Sequence, residues 1–171
     1  MSKIVLYEQP NFTGKWKEFR GNVPDLAVEL FAKTARSLKV EGKHWVAYKG
    51  KKFTGDFVVY GAGDYNQLGD MDTQIESLRL VKEELGNPDI VLYENINFCG
   101  QSRNVDEDVA DLRRAEFDHL VSSHKVKQGV WILYDEVDYQ GNRLITFQGD
   151  ECADYREFGW NDKLASLKAL K

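Results

Sequence analysis

The chain has 171 residues, with 23 basic and 28 acidic side chains and a formal net charge of −5. It contains no basic stripe, which argues against nucleic-acid binding, and no apolar run approaches the roughly 18 residues that a transmembrane helix needs. The first residues lead directly into a predicted strand and leave no room for a signal peptide. The sequence therefore predicts a cytoplasmic protein without a transmembrane segment.

Four segments, taken in chain order, repeat one pattern of a Tyr, an aromatic residue five positions later and a Gly two positions after that. Each segment opens with a short run of β-branched and aromatic residues, which predicts a strand. Each is followed, 22 to 25 residues after the Gly, by a Ser. The four sets are Tyr7, Phe12, Gly14 and Ser37; Tyr48, Phe53, Gly55 and Ser77; Tyr93, Phe98, Gly100 and Ser123; and Tyr134, Tyr139, Gly141 and Ser166. A fourfold internal repeat of this kind indicates the architecture before any other feature.

The repeated residues predict a folded hairpin. The Gly is expected where the backbone needs a positive φ, and the aromatic residue is expected to pack across the hairpin. The Ser side chain is expected to hydrogen-bond hairpin backbone groups that have no sheet partner. One repeat of about 40 residues is too small to bury both faces of its strands. The sequence therefore predicts an all-β protein of two domains, each a two-sheet sandwich of two Greek key motifs with four strands per motif.

The spacing of the repeats and one polar segment predict the domain boundaries. The repeated tyrosines lie 41, 45 and 41 residues apart, so the longer step falls between the second and third repeats. The polar segment in that step ends at Asn87 and Pro88, a dipeptide that interrupts regular structure. We expect domain one at residues 3–82, a linker at 83–87 and domain two at 88–171.

Between the strands, apolar residues recur at helical spacing in 24–31 and 109–117, which predicts two short helices. Core cover is the favoured interpretation of these segments, and the alternative is a face that contacts a membrane or a partner. Trp45 and Trp131 begin equivalent strands of the second and fourth repeats, so both are predicted to be buried.

Taken together, the four motifs resemble the βγ-crystallin family over essentially the whole chain. Lens members are typically richer in Cys and Arg, and this chain, with 2 Cys, is more similar to non-lens vertebrate members of the epidermal differentiation type. It also resembles the crystallin part of proteins that carry an aerolysin-like pore-forming module. The resemblance implies a non-enzymatic structural or stress-related protein. The alternative is a binding module of an epithelial or pore-forming complex that contacts a partner protein, a second copy, a lipid surface or a glycan.

No catalytic arrangement is visible in the sequence. The acidic residues are scattered, and no Ser-His-Asp or Cys-His set follows from their spacing. Cys99 and Cys152 are expected to be reduced thiols, because a disulfide framework would use more cysteines, and the alternative is an intradomain bridge or a redox-sensitive surface thiol. His124 alternates with Lys125 along a predicted strand, so its side chain is expected to face solvent. The sequence predicts that the protein is not an enzyme.

The resemblance further implies a Ca²⁺ site of weak affinity. Family members that bind Ca²⁺ carry two Asn or Asp residues at the start of a six-residue loop and a hydroxyl just before the repeated Ser. One loop supplies a backbone carbonyl and the hydroxyl, and the other loop supplies the carboxylate or amide of its second position, a set of hard oxygens that suits Ca²⁺. In domain one, loop 32–37 has Lys33 and Arg36 at these positions, and loop 72–77 has Glu76 in place of the hydroxyl. We therefore expect no ordinary site in domain one.

The two loops of domain two have lost complementary parts of the signature. Loop 118–123 keeps the hydroxyl of Ser122 but has His119 at its second position, and loop 161–166 keeps Asp162 but has Ala165 in place of the hydroxyl. The hypothesis is one site that combines Ser122 and the carbonyl of Leu120 with Asp162, completed by a hairpin carbonyl near Glu94 or Asp135. The alternative is that Asp118 and Asn161 only cap their loops. The candidate metal-binding residues are Glu94, Asp118, Leu120, Ser122, Asp135, Asn161 and Asp162.

Overall fold

The structure is a computed structural model that describes residues 1–115, 117, 121–160 and 162–171. The chain divides into two compact units, Met1–Lys82 and Glu83–Lys171. Each unit has its own core of buried apolar side chains, and each core contains one fully buried tryptophan, Trp45 or Trp131, as predicted.

The first unit contains seven strands in two antiparallel sheets. The strands are β1 (Lys3–Gln9), β2 (Thr13–Phe19), β3 (Ser37–Glu41), β4 (Trp45–Tyr48), β5 (Phe57–Tyr60), β6 (Gly63–Tyr65) and β7 (Ser77–Leu80). One sheet has the order β2-β1-β3-β6 and the other has the order β5-β4-β7. Strand β6 belongs to the second repeat but pairs with β3 of the first. The first repeat reaches the other sheet through Val23, which forms an isolated bridge with Leu78.

The second unit repeats this arrangement. Its strands are β8 (Asp89–Asn95), β9 (Cys99–Val105), β10 (Ser123–Gln128), β11 (Val130–Glu136), β12 (Gln140–Phe147), β13 (Glu151–Cys152) and β14 (Ser166–Ala169). The sheets have the orders β13-β10-β8-β9 and β12-β11-β14, with an isolated bridge between Val109 and Leu167. The predicted all-β, two-domain Greek key fold is confirmed. Four strands per repeat would give eight strands in each unit. The described residues form seven strands in each unit, because an isolated bridge takes the place of the eighth.

The four hairpins have the predicted construction. In the first, the Ser37 hydroxyl donates to the carbonyl of Gln9 at 2.6 Å and accepts from the backbone N–H of Phe12 at 3.0 Å. The same pair of hydrogen bonds recurs at Ser77, Ser123 and Ser166. Gly14 has a φ of 78°, where a side chain would be strained. The Tyr7 and Phe12 rings meet edge to face, with their centroids 5.6 Å apart.

The prediction of two short helices is wrong. Residues 26–30 and 112–115 form turns, and the backbone N–H of Phe31 donates to the carbonyl of Leu26 five residues earlier, at 2.9 Å. Leu30 has a φ of 59°, which ends any helix at that position. The segments do supply core cover, since Leu26 and Leu112 are fully buried. The helices in the described part of the chain are short 3₁₀ helices at Pro10–Phe12, Gly69–Met71, Ile96–Phe98, Val137–Tyr139 and Tyr155–Phe158. None of them is long and apolar enough to cross a bilayer.

Candidate functional site

The two signature loops of the first unit lie against each other. The backbone N–H of Lys33 donates to the carbonyl of Ile75 at 2.9 Å, and that of Thr73 donates to the carbonyl of Ala35 at 3.0 Å. The second position of each loop therefore touches the fourth position of the other. This contact brings the second position of one loop close to the fifth position of its neighbour, which is the arrangement that the cross-loop metal hypothesis requires.

In the first unit, a protein cation lies at this junction. The guanidinium of Arg36, at the fifth position, contacts the Asp72 carboxylate with an Nε to Oδ1 distance of 3.2 Å and also reaches the Gln9 side chain at 3.5 Å. Asp72 occupies the first position of the facing loop. Its carboxylate is thus already compensated by an internal positive charge, and a second cation there would be repelled.

In the second unit, each hairpin is hydrogen-bonded to one of the two signature loops. The backbone N–H of Ser122 donates to the carbonyl of Tyr93 at 2.9 Å, next to Glu94. The backbone N–H of Ala165 donates to the carbonyl of Tyr134 at 2.9 Å, next to Asp135. The structure therefore brings Ser122 together with the Glu94 hairpin, while the Asp135 hairpin lies with Ala165.

Not every candidate ligand lies in the described part of the chain. Asp118, Leu120 and Asn161 fall outside the described residues, as does His119. Asp162 has a φ of 57°, close to the 58° of Thr73, its counterpart in the first unit. No group of three or more His, Cys, Asp or Glu side chains positioned to hold a metal occurs among the described residues. A site formed by the described residues alone would need backbone and hydroxyl oxygens beside its carboxylates.

Asp135 has a structural role. Its carboxylate accepts hydrogen bonds from the backbone N–H of Asn142 at 2.7 Å and from the Asn142 side-chain amide at 2.9 Å. These bonds tie the two strands of the hairpin together at its base. The side chain of Asp135 is therefore engaged within the protein, which leaves the backbone as the part of this hairpin that could contact an ion.

The prediction that His124 faces solvent is wrong. Its side chain is 1% exposed, with Nδ1 2.5 Å from the hydroxyl of Tyr155 and Nε2 3.0 Å from the hydroxyl of Thr146. Burial lowers the pKa of His124 from 6.5 to about 4, so the ring is neutral at pH 7. The residue after the repeated Ser points into the core in every repeat. The other three positions hold the fully buried Leu38, Leu78 and Leu167.

A cysteine lies beside this histidine but is not activated by it. Cys152 is paired with His124 on the neighbouring strand, and its side chain packs partly against the core. Burial raises the pKa of the Cys152 thiol to about 11, while the neutral imidazole supplies no positive charge to stabilise a thiolate. Nucleophilic catalysis needs the opposite combination, a depressed thiol pKa beside a base. Cys99 is exposed, and neither cysteine forms a disulfide.

Comparison with known proteins gives consistent matches over the whole chain. The beta/gamma crystallin family model matches residues 3–81 and 89–170. The epidermal differentiation-specific protein of Cynops pyrrhogaster is 30% identical over 171 residues, which is 100% of this chain and 50% of that protein. Human beta-crystallin B2 is 31% identical over 163 residues, 92% of this chain and 78% of the relative.

Solved structures include Geodin from Geodia cydonium, a beta-gamma crystallin that is 19% identical, with a TM-score of 0.42 and coverage of 99% of both chains. The chain spans half the length of the Cynops relative.

Proposed function

The chain belongs to the beta/gamma crystallin family, and from that premise we propose that it is a non-enzymatic structural protein whose second domain carries one weak Ca²⁺ site. The observation that carries the metal part is the contact between the paired loops of the first unit, in which Thr73 touches Ala35. By the internal repeat, Asp162 corresponds to Thr73, and Val121 corresponds to Ala35. Asp162 is therefore expected beside Ser122, the residue that follows Val121.

The oxygens at this junction fit Ca²⁺ in kind. Asp162 offers a carboxylate, Ser122 offers a hydroxyl, and the backbone at Leu120 and Glu94 offers carbonyls, all of which are hard ligands. By the internal repeat, the opposite junction of the second domain would combine the sequence positions of His119 and Ala165, which supply neither a carboxylate nor a hydroxyl. A single side-chain carboxylate gives little charge compensation for a divalent ion, so the affinity is expected to be low.

The first domain supports the proposal by contrast. Its corresponding junction holds the Arg36 guanidinium against Asp72, so the loops are linked without an ion. The pair is half exposed, and its contribution to stability is expected to be under about 1 kcal/mol. We expect the Arg36 guanidinium to keep Ca²⁺ out of this junction of the first domain, because it already occupies the position of a cation.

The structural part of the proposal rests on the four hairpins and the two cores. Each hairpin is anchored by a fully buried Ser that bonds two backbone groups, and each core surrounds a fully buried tryptophan. The buried His124 ring of the second domain is hydrogen-bonded at both nitrogens and neutral, and the neighbouring Cys152 thiol is protonated. These groups are suited to holding a fold rather than to transferring protons or attacking a substrate.

We expect Asp162→Lys to abolish Ca²⁺-induced stabilisation. Lys33 adopts the same left-handed backbone at the corresponding position, with a φ of 53°, so the change should not strain the loop. In the wild type, an ion concentration about 100 times the Kd should stabilise the folded state by about 2.7 kcal/mol. The measurement is a thermal melt of chelator-stripped protein with and without Ca²⁺, together with isothermal titration calorimetry.

The matched control is Thr73→Lys, which introduces the same residue at the counterpart position in the first domain. It should leave the Ca²⁺-dependent shift in Tm unchanged. A wild-type protein that shows neither binding heat nor a shift in Tm would contradict the proposed site. A Ca²⁺ response that persists in Asp162→Lys would place the site elsewhere.

A further inference from the structure

One loop of the first domain exposes two large apolar side chains. In the segment 24–31, Val28 is 79% exposed and Leu30 is 89% exposed, whereas Leu26 and Phe31 of the same loop are buried. Four of the five exposed large apolar residues in the described part of the chain belong to the first domain. We call Val28 and Leu30 together the loop tip.

The fold itself does not require an apolar loop tip. The second domain has the same loop, with the backbone N–H of Arg113 bonded to Asp111 as that of Ala27 is bonded to Asp25. At the positions of Val28 and Leu30, the sequence of the second domain has Arg114 and Glu116. The internal repeat therefore gives charged residues in the sequence at both of these positions.

Leu30 carries a second unfavourable feature. Its φ of 59° lies in the left-handed region, which a branched aliphatic residue seldom adopts. An exposed position with this backbone would ordinarily hold Gly or Asn. Leu30 therefore combines an unfavourable backbone with high exposure to water.

Lysines surround the loop on both sides. The ammonium of Lys17 contacts the Glu29 carboxylate at 2.9 Å and the Glu29 carbonyl at 3.1 Å. On the other side, Lys51 lies 3.8 Å from the Asp25 carboxylate, and the backbone N–H of Lys52 donates to the carbonyl of Pro24 at 2.7 Å. Both acidic residues of the loop are thus compensated by lysines, and Lys52 adds a further positive charge.

The two domains carry opposite net charges. Residues 1–82 contain 13 Lys and Arg against 10 Asp and Glu, a net charge of +3, and residues 83–171 contain 10 against 18, a net charge of −8. An anionic surface would therefore attract the domain that bears the loop tip and repel the other domain.

We propose that the loop tip docks onto an anionic phospholipid bilayer. Val28 and Leu30 enter the boundary between headgroups and acyl chains, while Lys17, Lys51 and Lys52 remain at the level of the phosphates. Apolar side chains and lysines contribute together to this kind of peripheral binding. Two side chains are too small an area for a stable protein–protein interface, which buries roughly 800 Å² on each partner. A lipid surface needs no complementary pocket.

The test is co-sedimentation of the full chain with vesicles of phosphatidylcholine, with and without phosphatidylserine. We expect binding only to the phosphatidylserine vesicles, and we expect it to weaken as salt is added. Leu30→Glu, which introduces the residue found in the second domain, should lower the partition coefficient at least about tenfold. Lys52→Asn should lower it about fivefold, and it introduces the residue that the first and third repeats have at this hairpin position.

Arg114→Gln is the charge-matched control, because it removes one positive charge from the second domain and should leave binding unchanged. Thermal melts verify that each variant is folded. The proposal is overturned if the wild type does not sediment with anionic vesicles, if it binds both vesicle types equally, or if Arg114→Gln weakens binding as much as Lys52→Asn. Concentration-dependent sedimentation without vesicles that Leu30→Glu abolishes would instead identify a contact between copies of the chain.

Discussion

Replacing Ser166 with Ala is expected to destabilise the second domain by about 2–3 kcal/mol. The Ser166 hydroxyl donates to the carbonyl of Glu136 at 2.6 Å and accepts from the backbone N–H of Tyr139 at 3.0 Å. Glu136 ends β11, where the register with β12 shifts, and Tyr139 lies in the turn between these two strands, so the Ser166 hydroxyl bonds the hairpin where regular strand pairing is interrupted. Without the hydroxyl, each group in this partly buried position loses its hydrogen bond and does not regain full hydration.

The measurement is urea unfolding of the Ser166→Ala variant, followed by tryptophan fluorescence. Ser102 is exposed on β9 of the same domain and makes no comparable anchor, so Ser102→Ala is the matched control and should change stability by less than about 0.5 kcal/mol. A Ser166→Ala variant as stable as this control would contradict the role assigned to the repeated Ser. The equivalent change at Ser37, Ser77 or Ser123 should have a similar effect, because all four make the same two bonds.

Acid is expected to destabilise the second domain in the range between pH 6.5 and about pH 4, through His124. Burial holds the pKa of His124 at about 4 in the folded protein, against an ordinary value of 6.5. The unfolded chain therefore takes up a proton that the folded chain excludes, and the free energy of unfolding falls as the pH is lowered. The loss begins near pH 6.5, is complete below about pH 4 and amounts to about 3 kcal/mol.

This effect is measured by urea unfolding at a series of pH values. A double variant, His124→Leu with Tyr155→Phe, removes the titrating ring together with its buried hydroxyl partner and should flatten the profile in this range. His124→Leu alone also removes the titration, but it leaves the Tyr155 hydroxyl buried without that partner and should be less stable at neutral pH. An unchanged acid dependence in the double variant would show that other groups, and not His124, control this range.

The repeat made most of the fold predictable from the sequence. A Gly at a fixed distance from a Tyr implies a positive φ, and a Ser that recurs 22 to 25 residues after that Gly implies an anchor for the hairpin. The first inference depends on a local backbone requirement and the second on the repetition of the same spacing, and both are confirmed at all four positions.

Two predictions failed because they were made from one segment instead of from the repeat. Alternation with Lys125 predicts a solvent-facing His124, whereas the buried counterparts Leu38, Leu78 and Leu167 indicate a position in the core. The apolar spacing in 24–31 is compatible with a helix, but it does not show that Leu30 breaks the helix and points outward. Comparing equivalent positions across the repeats would have corrected the first error.

The candidate Ca²⁺ site depends on contacts that no local pattern specifies. The sequence indicates which oxygens remain in each loop, but whether two loops about 40 residues apart meet is a property of packing between motifs. The contacts of Lys33 and Thr73 in the first domain supply that information for one pair of loops. The Arg36 to Asp72 contact, which fills the corresponding junction, was not anticipated from the signature.

The most direct test of the central claim is a Ca²⁺ titration of the ¹⁵N-labelled protein, followed by amide chemical shifts. The account predicts saturable shifts at 118–123, at 161–166 and at the Glu94 hairpin, with none at 32–37 or 72–77. Shifts centred on the Arg36 and Asp72 loops, or an absence of shifts in the second domain at millimolar Ca²⁺, would contradict it.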